Sequence, residues 1–382
     1  MPPQSTDIRV IYALIFSALL FLPISSAQTE TPVRIPATQA QAAQRNDEGA
    51  EAELSEGIRL TQQGRFDDAI PHLLAAQGHV SNGFAADFNL ALCYVATGQD
   101  RVAVQILRSI LSAGHGTAAT YNLLAQALIG VSQPEGAMDA FQQAVALDPK
   151  NEKLYIFVAD ACMGHESYDL GVTIVDTGLQ HLPESALLHY ERGILLSFLD
   201  QPDQARQDLR RASELAQGSL ISFLADAQMG LLDTNMPQAI RAARDGLRKE
   251  PENYILLTIL GQALIRQGAS PGQKEFEEAQ IALEKSVSER PGYAVSQLAL
   301  GQLLLIAGRF REAITQLDQA RKLAPNNPSV YSQLAVAYQR LGDHEKAEKL
   351  LAILATLNQQ QAARYKLDPP DHKGSYIGSS KQ

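Results

Sequence analysis

Between Leu300 and Pro325 the chain reads LGQLLLIAGRFREAITQLDQARKLAP. Two small residues, Gly301 and Ala313, stand twelve positions apart in this stretch. Apolar residues surround each of them at three- and four-residue steps, the spacing that places side chains on one face of a helix. A small residue inside such a stripe removes bulk where a second helix must come close. Leu317 follows Ala313 by four positions and refills the same face, and Pro325 closes the run because it cannot continue the hydrogen-bond ladder. The stretch therefore reads as helix A, a tight turn and helix B.

The pattern repeats in both directions. Ala69, Ala103, Ala137, Gly171, Ala205, Ala239, Ala279, Ala313 and Ala347 are spaced by 34 residues, except for one step of 40 between Ala239 and Ala279. A second ladder, Gly57, Ala91, Ala125, Ala159, Gly193, Ala227, Gly261, Gly301 and Ala335, precedes it by twelve positions in eight of the nine cases. Leu73, Leu107, Phe141, Val175, Leu209, Leu283, Leu317 and Leu351 follow four residues after the helix B small residue. Pro149, Pro183, Pro251, Pro291 and Pro325 fall in the same frame. Two small positions per 34-residue unit mark a repeated helix pair.

These offsets, clearest in the copies that begin at Leu124, Leu300 and Leu334, resemble the tetratricopeptide repeat family. The resemblance covers residues 50 to 357 and implies an all-α fold, a right-handed superhelical solenoid of about nine antiparallel helix pairs. Within residues 49–357 six extra residues fall between Gly261 and Ala279, in the turn from helix A to helix B, where Pro271 and Gly272 stand and added length costs little. The unit at Ala227 and Ala239 departs most from the pattern, with Asp226, Gly230 and Ala243 at positions the family fills with apolar residues. That predicts the softest link in a stack that depends on neighbour interfaces.

The remaining segments are short. Residues 1–27 resemble a secretory signal: Arg9 and the amino terminus are basic, Val10 to Leu22 is apolar, and Ser25-Ser26-Ala27 offers small residues for cleavage. The apolar run is shorter than the roughly 20 residues a membrane span needs. Cleavage after Ala27 is the expectation, with an uncleaved anchor or no export as alternatives. Residues 28–48, polar and with Pro32 and Pro36, read as a flexible linker. Residues 358–367 could extend the last helix or form a capping helix. Residues 368–382, rich in Pro, Gly and Ser, read as a disordered tail.

A net charge of -10 without a basic cluster argues against nucleic acid as a partner. Cys93 and Cys162 lie two repeats apart, too far for a disulfide or a metal pair, and are expected as buried free thiols. His165-Glu166 and His344-Glu345 begin like a zinc-protease motif but lack the second His, so no metal, cofactor or catalytic site is expected. Gly114-His115-Gly116 reads as a turn.

Function is thus expected on surfaces: a non-catalytic, exported interaction scaffold, periplasmic or extracellular, with self-assembly through the solenoid ends as the alternative. The family resemblance implies that helix A lines a concave face that binds a peptide or partner helix. The row following the helix A small residue holds Gln126, Asp160, Gln228, Gln262 and Gln302, and the row three before it holds Phe88, Asn122 and Tyr190. Amides can donate to and accept from a peptide backbone at once, and the aromatic residues would add apolar pockets. The alternative is a merely solvated groove. Leu54 and Ile58 stand where some family members carry the Lys and Asn of a carboxylate clamp, so that activity is not expected.

Overall fold

The computed structural model describes residues 37–367, with side chains from 49 to 360. The expected signal segment and tail lie outside the described residues. So do residues 28–36 of the expected linker, but the rest of that segment corrects the expectation. It is helical from Ala37, where an Ala- and Gln-rich run free of Pro carries good helix formers straight into the first repeat.

The described residues are all helical apart from turns, and fall into two compact units that meet at Gln217 and Gly218 in sequence. The first holds five helix pairs. They are α1 (Ala37–Gln62) with α2 (Phe66–Ala76), α3 (Gly83–Ala96) with α4 (Asp100–Ser112), and α5 (Ala118–Gly130) with α6 (Pro134–Leu147). Then come α7 (Glu152–Gly164) with α8 (Tyr168–His181) and α9 (Ala186–Phe198) with α10 (Pro202–Leu215). The second unit holds four. They are α11 (Leu220–Leu232) with α12 (Met236–Lys249), α13 (Tyr254–Arg266) with α14 (Lys274–Glu289), α15 (Ala294–Ile306) with α16 (Phe310–Leu323), and α17 (Pro328–Arg340) with α18 (His344–Leu367). Residues 358–367 belong to α18, so of the two options for that segment the chain takes the extension.

The ladders of small residues are the seams of these pairs. A Cβ built on Gly57, Gly193, Gly261 or Gly301 would fall 2.7, 2.8, 2.4 or 2.6 Å from a side-chain atom of Leu73, Leu209, Leu283 or Leu317. Each helix A glycine thus admits the leucine four residues beyond the helix B small residue. These leucines are fully enclosed, and burying each favours the fold by about 1.5–3 kcal/mol. Leu351 is the exception, 40 % exposed, because no further repeat covers α18 among the described residues.

Two residues past the end of each helix A stands a residue with positive φ, which bends the chain into helix B. The position recurs on the repeat frame as Gly64, Gly98, Ser132, Glu166, Asp200, Thr234, Gly268, Gly308 and Gly342. In four successive repeats a residue with a side chain sits in the left-handed region that glycine occupies freely.

The six extra residues fall between α13 and α14. Ordinary turns such as 307–309 span three residues, whereas Gln267 to Gln273 spans seven, and α14 begins two residues earlier relative to Ala279 than α16 does to Ala313. Four residues lengthen the turn and two lengthen the helix. The seam itself is unmoved, as the Gly261–Leu283 contact shows.

Gly230, in the unit expected to be soft, has a packing role. A Cβ there would lie 2.5 Å from the backbone nitrogen of Ala239 and 2.8 Å from its Cα, so the glycine lets the α12 backbone rest directly on α11.

Candidate partner-binding surface

The two rows of first-helix residues separate by burial. The row following the small residue is accessible: Ile58, Leu92, Gln126, Asp160, Ile194, Gln228, Gln262 and Gln302 are half-buried and Val336 is exposed. The row three residues before is mostly core. Asn122, Ile156, Tyr190, Leu224 and Thr258 are buried, while Phe88 is half-buried with its ring 5.7 Å from that of Phe84. Ile265, on α13, is also buried, and Met163, on α7, is half-buried.

The amides of the two rows do different work. Asn122 Nδ2 donates to the backbone carbonyl of Leu154 at 2.7 Å, which ties α5 to α7, the first helix of the next repeat. Gln126 Nε2 donates to Asn122 Oδ1 at 2.9 Å and so fixes the amide orientation. Gln228, Gln262 and Gln302, on α11, α13 and α15, form no side-chain hydrogen bond among the described residues. One unused amide per repeat, half-buried and at one helical position, is what the second unit presents.

The first unit carries a charged arrangement that the ladders gave no sign of. Glu191, on α9, is buried, and its Oε2 has no hydrogen-bond partner. Burial first, and then the negative charge of Asp160 on α7, push its carboxyl well above the usual carboxylate range. The adjacent Arg192 is held elsewhere. Its Nε and Nη2 donate to Asp208 Oδ2 and Oδ1 at 2.6 and 2.7 Å, and its Nη1 donates to Asp176 Oδ1 at 2.6 Å. His189 completes that cluster, with Nδ1 2.9 Å from Asp208 Oδ1 and Nε2 3.1 Å from the Pro183 carbonyl. Asp208 is buried, so the cluster clamps α8, α9 and α10 through a desolvated carboxylate.

Both cysteines are buried free thiols. Burial raises the Cys93 pKa to about 11 and that of Cys162 to about 12. No group of three or more His, Cys, Asp or Glu residues is placed to hold a metal ion among the described residues. No described helix is long and apolar enough to cross a membrane.

Helix pairs stacked on a 34-residue frame, with small residues at every seam, define an α-solenoid of the repeat-protein class. The tetratricopeptide repeat profiles match residues 60–127, 118–151, 272–331 and 304–367, and the chain is a tetratricopeptide repeat protein. It is 25% identical to anaphase-promoting complex subunit 7 of Dictyostelium discoideum over 203 residues, which is 53% of this chain and 34% of that protein. It is 41% identical to tetratricopeptide repeat protein 36 of Caenorhabditis elegans over 71 residues, 18% of this chain and 40% of that one. The chain thus spans well under half the length of these relatives. A solved tetratricopeptide repeat protein from Parabacteroides merdae superposes with a TM-score of 0.45 at 16% identity, covering 76% of this chain and 99% of that one. The fold is that of a protein–protein interaction scaffold, and repeat proteins of this family are generally non-catalytic.

Proposed function

We propose that the protein is an exported interaction scaffold that holds an extended peptide or partner segment along the accessible first-helix row, in assembly or secretion of an envelope complex. The observation that carries the binding reading is the row of unused amides at Gln228, Gln262 and Gln302. A half-buried amide that forms no side-chain hydrogen bond among the described residues can still donate to one peptide carbonyl and accept from one peptide N–H. Three of them, one per repeat, suit a backbone that runs along the row with little demand on its side chains. Export rests on the residues 1–27 alone and predicts a mature chain that begins at Gln28.

The test is selection from a displayed library of random dodecapeptides. The wild-type protein should enrich binders, and the triple variant Gln228→Ala, Gln262→Ala, Gln302→Ala should lose them while keeping its melting temperature. Equal enrichment by both proteins would remove the amide row from the reading. A second reading, self-association, is favoured by Leu351 and Ile353, 40 and 43 % exposed on α18. Light scattering across a concentration series separates the two, since self-association requires a mass that grows with concentration.

A further inference from the structure

Ile281 stands out against the repeat frame. It lies on α14 two positions after the helix B small residue Ala279, where the other eight repeats carry Pro71 or a polar side chain such as Gln105, Thr173, Arg241 or Lys349. It is 66 % exposed, the most exposed of the large apolar side chains among the described residues. Beside it opens a groove of about 360 Å³ between α13 and α14, floored by the buried Leu257, Leu260 and Ala282 and rimmed by Lys274, Glu277 and Glu278. Lys274 is one of the two residues by which the insertion lengthens α14, so the extra chain helps to build the groove. A lone exposed aliphatic side chain is ordinary, but one that stands beside an apolar hollow is a knob next to a hole.

The charges around Ile281 decide what fits there. Arg244 Nε and Nη2 donate to Glu278 Oε1 and Oε2 at 2.8 and 2.6 Å, and Gln280 Nε2 donates to Glu284 Oε1 at 2.8 Å. Glu277 and Lys285 form no hydrogen bond or ion pair among the described residues. They lie four positions before and four after Ile281, on the same face of the helix. When two copies of α14 run antiparallel about a two-fold axis at Ile281, residue 277 of each stands level with residue 285 of the other. Each Glu277 then meets a Lys285, and each Ile281 reaches the groove of the other copy. Glu278 and Glu284, which also come level, are already engaged within their own chains.

We infer that the exposed face of α14 is a docking surface for a second copy of this chain, joined through Ile281 and the Glu277–Lys285 pairs in a two-fold dimer. An isologous contact needs a patch that complements itself. Here the knob and the hole share one face, and the acid and the base stand at equal distances from its centre. The inference uses neither the amide row nor the α18 end and goes beyond both.

The test is sedimentation equilibrium of the full chain over a concentration series reaching about 0.5 mM. Wild type should pass from one chain to two and stop there. Ile281→Asp should stay at one chain and melt like dilute wild type, since the side chain it replaces is exposed. Glu277→Lys and Lys285→Glu should each dimerise about tenfold more weakly, because both pairs across the axis become repulsive. An equimolar mixture of these two variants should regain the wild-type affinity, since every pair across the axis is again one Lys and one Glu. Adding positive charge to a chain of net charge -10 relieves its overall repulsion, so a weakening by Glu277→Lys reports the pair and not the net charge. A mass of one chain throughout overturns the inference. So does an association that Ile281→Asp leaves intact and Leu351→Asp abolishes, which assigns the contact to the α18 end. A dimer lost with Ile281→Asp but indifferent to both charge reversals overturns it as well, because the contact then lacks the two-fold pairing.

Discussion

Asn122 and Leu154 are joined across two repeats: the Asn122 amide donates to the Leu154 carbonyl at 2.7 Å, thirty-two residues along the chain. The bond lies in buried surroundings and links the first helices α5 and α7 directly. Asn122→Ala should destabilise the protein by about 1–2 kcal/mol, the usual cost of losing a buried hydrogen bond. Gln126, freed from Asn122, should not weaken peptide capture. Urea denaturation gives the first quantity and the peptide selection the second.

Gly230 and Gly261 predict different costs for the same substitution. Gly261→Ala presses on the Leu283 side chain, which can turn aside, whereas Gly230→Ala presses on the backbone of Ala239. Overpacking costs about 1–3 kcal/mol, and Gly230→Ala should lie at the upper end with Gly261→Ala near the lower. Paired urea titrations of the two variants check the order.

Thr234 holds a β-branched side chain at φ 56°, where the equivalent residue in five other repeats is glycine. Left-handed geometry costs a residue with a side chain about 1–2 kcal/mol. Thr234→Gly recovers part of this, offset by the greater freedom of glycine in the unfolded chain. A net gain of about 0.5–1 kcal/mol is expected in the urea midpoint. Ser132→Gly should gain less, because serine lacks the branch.

Glu191 makes stability fall as pH rises. Its folded-state carboxyl holds a proton well above 4.5, through burial and then the Asp160 charge, while in the unfolded chain it ionises near 4.5. Below that value both states are protonated and nothing is lost. Above it the unfolded chain alone sheds the proton, and unfolding becomes easier by at most about 1.4 kcal/mol per pH unit until the folded carboxyl ionises too. Glu191→Gln should flatten this slope above pH 4.5, read as the difference in unfolding free energy between the two proteins at each pH.

The two thiols predict a simple titration. With burial holding their pKa values at about 11 and about 12, Cys93 and Cys162 should be silent to a disulfide reagent at pH 8 in the folded protein. Both should react once denaturant is added. Rapid reaction of either thiol in the native state would contradict the packing described.

The seams were legible in the sequence because a close helix contact admits few residue types, and the same demand recurs at Gly57, Gly193, Gly261 and Gly301. Local periodicity also located the insertion. It could not tell the accessible row from the buried one. Residues four positions apart, such as Asn122 and Gln126 or Tyr190 and Ile194, share a helix face, and small rotations against neighbouring helices decide which is covered. Leu351 carries the pattern of a buried leucine and is exposed because burial there needs a repeat beyond it. Glu191 gave no signal, since an acid amid apolar residues looks the same in sequence whether it points outward or lies beneath a neighbour. The helical start at Ala37 is hidden in sequence because Pro32 and Pro36 stand just before it and the Ala- and Gln-rich run after them carries no apolar periodicity.

The Gln267–Gln273 turn absorbs four extra residues and the start of α14 two more, yet Gly261 still meets Leu283 as Gly301 meets Leu317. The protein has thereby marked its own splice point. A fluorophore-bearing loop or a protease recognition sequence placed there would report on the second unit without displacing a single contact between its helices.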